Sequence, residues 1–420
     1  MRPAVCCLVL FLALLAADCK KEAAKAPPVP AARETAARKI MAEETAAEDA
    51  NLLGFAHGAV VAERTGELNL EDSAVQAIDG TPGTVWVTPP SDPQQSLTVV
   101  LAAPSQITAV GYTAVAMTGA GTPQKIQFDA SSDGTSWTPL KTIESPALKI
   151  AAMQSVDPAN AAWIRVSFPE ESGRTVGVAS LLAAGREVGP YRRPDITGSW
   201  SINGLKGLFL QSGSRVHGTV AMSPPMTIEG GWNGRTIPFA WTRGPQYGLG
   251  VLGLSADGKY LNGEWWYEEA IPLFYGTTWF GEKLNTYPDV GNEFDVPETW
   301  LQRFGHTPVY SIVFSTDDKL DVTGSEAGLR WVEATIRKNA GSKLTLISRN
   351  WAEQSEAGNI ASGKHRLDSL RTELSRRRVP LADVTFEALG PTHYKEHPAW
   401  NIYQPVFNRI ELQVARSMKE

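Results

Sequence analysis

From Pro190 to Lys283 the chain alternates apolar and polar residues in short runs that Gly, Asn and Asp keep interrupting, a texture that leaves no room for a helical domain. Gly198-Ser199-Trp200, Gly207-Leu208-Phe209-Leu210-Gln211, Val216-His217-Gly218-Thr219-Val220, Ile237-Pro238-Phe239-Ala240-Trp241 and Asn262-Gly263-Glu264-Trp265-Trp266 are all of strand length. Successive side chains of a strand point to opposite faces, so period two is the mark of a sheet with one face inward. The runs recur about every ten residues, and Asn233-Gly234 and Asp257-Gly258 stand where a two-residue hairpin turn needs positive φ. Residues 190–283 are therefore expected to form an antiparallel β-meander or a small barrel. Its tryptophans either fill the interior or make a ligand platform.

Residues 51–188 carry a related texture, as in Leu97-Thr98-Val99-Val100-Leu101, Ile126-Gln127-Phe128 and Trp163-Ile164-Arg165-Val166. Many short strands without a helical run predict an antiparallel β-sandwich. Asn51-Leu52, then Ala77-Ile78-Asp79-Gly80-Thr81-Pro82 leading to Thr84-Val85-Trp86, then Ser132-Asp133-Gly134-Thr135-Ser136-Trp137 and the closing Trp163 to Val166 resemble the discoidin, or coagulation-factor C-terminal type, domain. That jelly roll is shared with many carbohydrate-binding modules. Trp86 and Trp137 are expected in the interior. The resemblance implies a structural calcium held by Asp79 and Thr84, although a hard cation takes roughly six to eight oxygens and Ser180 replaces the carboxylate that the family supplies near its end. It also implies a possible glycan partner on variable loops. His57, Tyr112 and their neighbours do not fix an aromatic platform, so adhesion or scaffolding stays equally open.

All three cysteines, Cys6, Cys7 and Cys19, lie before residue 20, so the folded part is expected to hold no disulfide and no thiolate metal site. Residues 1–18 read as a signal peptide: Arg2 is followed by an apolar run, Ala4 to Ala17, shorter than the roughly 20 residues that span a bilayer. Leu15-Ala16-Ala17-Asp18-Cys19-Lys20 resembles the lipobox of bacterial lipoproteins, with Cys19 as the lipidated residue and Asp18 in place of the usual small one. Cleavage after Ala17 without lipidation is the alternative. Residues 19–50, rich in Ala, Glu, Lys, Arg and Pro, have little to bury and are expected to be a disordered linker.

After a polar joint at 284–306, residues 307–420 change period. An apolar run, Val309 to Phe314, precedes the break Ser315-Thr316-Asp317-Asp318 and a helical stretch, and Lys343 to Ile347 precedes a longer one. The order strand, helix, strand, helix, strand, strand predicts an α+β sandwich with helices on one face of a sheet. This resembles the OmpA-like C-terminal domain, which tethers bacterial envelope proteins to peptidoglycan. The family's Asn-x-x-Leu-Ser-x-x-Arg-Ala aligns with Asn359, Ser362, Gly363, Arg366 and Leu367, its turn after the helix with Val379-Pro380, and its closing strand with Asn408 to Leu412. The resemblance implies that Asn359 and Arg366 bind peptidoglycan, the Arg taking a diaminopimelate carboxylate. The Asp expected to take the ammonium falls on Trp351, leaving Glu353 and Glu356 as substitutes.

Length suggests about two or three domains. A net charge of −6 gives no reason to expect nucleic acid. His217, His306, His365, His393 and His397 are scattered, and nucleophile elbows and phosphate loops are absent from the sequence. No cofactor is expected beyond the structural calcium. The expectation is a non-enzymatic lipoprotein of the outer membrane, facing the periplasm and linking it to peptidoglycan. The alternative is a carbohydrate-binding or adhesion protein, periplasmic or secreted, in which the last domain is a scaffold.

Overall fold

The structure, a computed structural model, describes residues 51–69, 72–81, 84–91, 94–113, 121–144, 153–169, 171, 173–268, 277–284, 296–315, 317–350, 355–390 and 404–415. The signal peptide, Cys19, the linker and Trp351 lie outside them.

The first eight strands are β1 (Val60–Arg64), β2 (Trp86–Thr88), β3 (Gln95–Thr113), β4 (Lys125–Ser131), β5 (Thr138–Glu144), β6 (Gln154–Phe168), β7 (Val176–Val178) and β8 (Ser180–Glu187). The larger sheet runs β1-β3-β6-β4-β5 with β8 also on β3, and β2 pairs with β7. Two strands are much longer than the sequence runs suggest, because β3 continues through a register break between Val100 and Ser105. Exposed Pro104 sits in that break, where the missing N–H costs no ladder bond. Leu97, Val99, Phe128, Ile164, Val166 and Trp86 fill the core. Trp137 does not join them; it is half-buried beneath the Arg165 guanidinium, 4.5 Å from ring centroid to Cζ, because its tight turn keeps it at the surface.

Strands β9 (Gly198–Ile202), β10 (Leu205–Ser212), β11 (Arg215–Val220), β12 (Met226–Gly231), β13 (Thr236–Arg243), β14 (Gln246–Leu254), β15 (Tyr260–Tyr267) and β16 (Thr277–Leu284) form a closed up-and-down barrel. Gly281 opposite Ile202 closes the ring. An eight-stranded barrel is just wide enough for side chains to fill, and here Trp200, Phe209, Ile228, Trp241, Trp265 and Trp279 are among those that do. The tryptophans are core rather than an open platform. Part of the glycine richness has the same origin: a Cβ at Gly250 would lie 2.2 Å from Phe239 Cζ, so the ring reaches inward only over a glycine.

The last part has helices α1 (Val296–Phe304), α2 (Glu326–Lys338), α3 (Glu356–Arg376) and α4 (Gln404–Phe407) and strands β17 (His306–Val309), β18 (Leu344–Arg349), β19 (Val384–Leu389) and β20 (Arg409–Val414). The sheet order is β17-β20-β18-β19, with β18 and β19 parallel and the other pairs antiparallel. Leu329, Val332 and Ile336 of α2 and Leu367, Leu370 and Leu374 of α3 pack with Leu344, Leu346, Ile410 and Leu412 of the sheet. The expected strand Val309 to Phe314 is a correction. Pairing with β20 stops at Val309, and the following backbone turns to meet the barrel, where a Cβ on Gly231 would sit 2.4 Å from the Tyr310 carbonyl oxygen.

The expected joint at 284–306 is not a free linker throughout. Helix α1 buries Trp300, whose ring meets Tyr247 of the barrel at 5.2 Å and Phe304 at 5.6 Å. Outward residues of the barrel, Ala240, Leu249, Val251 and Trp266, join one hydrophobic cluster with the sandwich core and with Trp300, Tyr310, Val406 and Phe407. Apolar burial on both faces of its strands therefore holds the barrel between its neighbours.

Candidate functional site

Helix α3 starts behind Ser355, whose hydroxyl accepts from the Gly358 N–H at 3.0 Å, a capping bond that fixes the first turn. Asn359 is buried in that turn. Arg366 lies further along the same helix, and its Nε donates to Asp318 Oδ1 at 2.6 Å. Ser362, one turn before Arg366, donates its hydroxyl to the other oxygen of Asp318. The two charged side chains are only 15% and 16% exposed, and the guanidinium lies 5.4 Å from the Phe314 ring centroid.

The carboxylate paired with Arg366 thus comes from a residue far upstream; Glu356 lies in the first turn of α3, and Glu353 lies outside the described residues. Asp318 has φ of 59°, the left-handed region that Asp tolerates in tight turns, and its N–H bonds the Ser315 carbonyl at 3.0 Å. A hollow of about 20 Å³, room for a water molecule, lies beside Arg366 between Tyr310, Phe314 and Asn408 and the barrel residues Asn233 and Pro238. Among the described residues the terminal nitrogens of Arg366 make no hydrogen bond.

Asp79 and Thr84 also come together. Asp79 Oδ1 accepts from the Thr81 N–H at 2.8 Å and from the Thr84 hydroxyl at 3.0 Å, and Thr84 reaches the Thr81 carbonyl at 2.7 Å. All three residues are buried, and the Thr81 hydroxyl oxygen has no hydrogen-bond partner among the described residues. Buried oxygen in excess of the turn's own bonds fits a hard cation; a single carboxylate fits only a weak one. Among the described residues no group of three or more His, Cys, Asp or Glu is placed to hold a metal.

A further recess, not evident in the sequence, lies where sandwich meets barrel. Its volume is about 370 Å³, and β1, the β9–β10 turn, β15 and β16 line it, with Glu63, Arg64, Asn203, Tyr260, Phe280 and Glu282 supplying its chemistry. A second hollow of about 540 Å³ shares Tyr260 and Glu282 and extends to Asp195, Asp257 and Lys283. Asn203 ties the β9–β10 turn to β16 at the edge of the first recess: its amide donates to Thr278 O at 2.8 Å and accepts from Phe280 N–H at 2.9 Å. Burial pushes the Tyr260 phenol up, and Glu63, Asp257 and Glu282 push the same way, so its hydroxyl stays protonated.

No curated protein matches the chain. Among solved structures, the chain is similar to the C-terminal domain of a chitobiase from Bacteroides fragilis, with 20% identity over 31% of this chain and 95% of that one and a TM-score of 0.29. It is similar to the family 32 carbohydrate-binding module of Clostridium perfringens NanJ in complex with galactose, at 22% identity over 32% and 97% with a TM-score of 0.28. It is likewise similar to the family 32 carbohydrate-binding module of Streptococcus pneumoniae EndoD, at 12% identity over 32% and 99% with a TM-score of 0.28. Residues 62–181, which make up most of the sandwich, match the family model of the F5/8 type C domain.

Proposed function

We propose that the protein is a non-enzymatic, glycan-binding protein of the cell envelope, lipid-anchored at Cys19, in which the F5/8 type C sandwich provides the binding module. The observation that carries this reading is the family match over 62–181, on a segment whose described residues form a six-stranded and a two-stranded sheet. Calcium, where present, would be held by Asp79 and Thr84 with Thr81, tying the turn before β2 rather than taking part in chemistry. A glycan array probed with the full chain tests the reading: captured glycans support it, and an array without a bound glycan contradicts it. Radiolabelled palmitate tests the anchor, since label should enter the wild type and not Cys19→Ala.

A second reading, in which the last domain is OmpA-like and binds peptidoglycan, is favoured by one observation. Asp318 stands beside Arg366, so a cation for a carboxylate and an anion for an ammonium are side by side. Against it stands the small volume next to Arg366, which a diaminopimelate would enter only if residues 310–314 moved off the barrel. Retention of the full chain on purified sacculi, lost in Arg366→Ala, supports wall attachment. Absence of retention by the wild type makes the domain a scaffold.

A further inference from the structure

The recess between sandwich and barrel is built rather than incidental. The side-chain amide of Asn262, fully buried on β15, bonds both the N–H and the C=O of Val61 on β1, at 2.5 and 3.0 Å. The register of β1 breaks immediately afterwards, between Val61 and Glu63, and a bulge of this kind re-aims the next side chain. Glu63 consequently lines the recess opposite Tyr260 and Glu282, which face each other across the β15–β16 ladder.

The charges there are unequally engaged. Arg64 is bonded to Glu67 at 3.0 Å and lies 3.3 Å from the Phe280 ring centroid, and Lys283 donates to the Asp195 carbonyl at 3.0 Å. Asp257 takes Lys259 at 3.7 Å and the Ser255 hydroxyl at 2.6 Å. Glu63 and Glu282 have no such partner among the described residues. Two carboxylates accept pairs of hydroxyl protons, a protonated phenol both gives and accepts one, and the volumes fall within the roughly 300–1,000 Å³ usual for ligand sites. Those carboxylates also repel anions.

We infer that this junction recess is a glycan subsite, distinct from the loops of the sandwich, that takes an uncharged, hydroxyl-rich oligosaccharide through Glu63, Tyr260 and Glu282 and rejects uronate- and sialate-bearing chains. The inference rests on the glycan reading of the whole protein. Its test is an array of neutral, uronate-containing and sialylated oligosaccharides probed with the full chain and with Glu63→Gln/Glu282→Gln and Tyr260→Phe, followed by titration of the strongest neutral binder. The expected result is neutral glycans only, weakened about tenfold or more by the double carboxylate substitution, as the loss of charge-assisted hydrogen bonds requires. Both carboxylates are exposed, so thermal melting of the variants should match the wild type. Glycans bound with unchanged affinity in both variants would overturn the subsite while leaving the sandwich as the binding module. A preference for acidic glycans would also overturn it, and capture of none would remove both readings.

Discussion

Asn262 of the barrel pairs with Val61 of the sandwich as if its side chain were another strand, accepting from the Val61 N–H and donating to the Val61 carbonyl. An edge strand that would otherwise present open backbone groups is thereby satisfied by one amide. Arg235, in the β12–β13 turn, makes a second link by clasping the Glu187 carboxylate in two hydrogen bonds and the His57 carbonyl at 3.1 Å. Together they add polar links to the apolar cluster that joins the two β units.

Replacing Asn262 by Ala leaves a buried N–H and C=O without partners, which costs about 1–3 kcal/mol for such groups. Denaturant unfolding should show that loss. Asp at this position should be worse, since it buries a carboxylate that only accepts and sets its charge against the Val61 carbonyl oxygen. A variant as stable as wild type would mean that water or another group serves Val61.

Arg366→Ala should destabilise the C-terminal domain even in the absence of any ligand, because Asp318 loses its cationic partner and keeps only the Ser362 hydroxyl. The pair is mostly buried, so the loss should fall between the ~1 kcal/mol of a surface pair and the ~3–5 kcal/mol of a fully buried one. A double-mutant cycle with Asp318→Asn isolates the coupling. Zero coupling energy would show that the ion pair does not form in solution.

Glu411, on β20, provides a pH signature. Burial pushes its carboxyl up, but Arg409 beside it and the Arg349 Nε at 2.7 Å more than reverse this and hold it at about 2, against an ordinary 4.5. A depressed folded value means stability that is present above 4.5 and is lost as pH falls through about 2. Glu411→Gln should flatten the fall in denaturation midpoint over that window. An unchanged slope would assign acid sensitivity elsewhere.

Calcium should raise the melting temperature of the wild type with half-effect at about 10⁻⁴–10⁻³ M, the range of extracellular modules. Asp79→Asn should abolish the increment. Calorimetry showing no heat and no stabilisation would leave the Asp79–Thr84 turn a purely hydrogen-bonded one.

Local features were legible and distant ones were not. Asp79-Gly80 before Trp86 and the hairpin pairs Asn233-Gly234 and Asp257-Gly258 announce their turns, and Gly234 and Gly258 indeed have φ of 61° and 71°. Closure of the barrel depends on Gly281 meeting Ile202 across the whole module, which periodicity does not encode. Asp318 stood in a polar break that looked like mere punctuation, and only the fold carries it to Arg366. Tyr310 to Phe314 were apolar enough for a strand, yet their apolarity serves the barrel contact and the wall beside Arg366. Asn262, flanked by glycine and leucine, gave no sign of its cross-domain role, and the recess it builds was equally hidden.

The central claim, glycan binding without catalysis, is met most directly by incubating the full chain with an array-selected oligosaccharide and following both retention and the integrity of the sugar. The account predicts saturable binding with the oligosaccharide recovered unchanged. Absence of binding, or shortened sugar products, would contradict it.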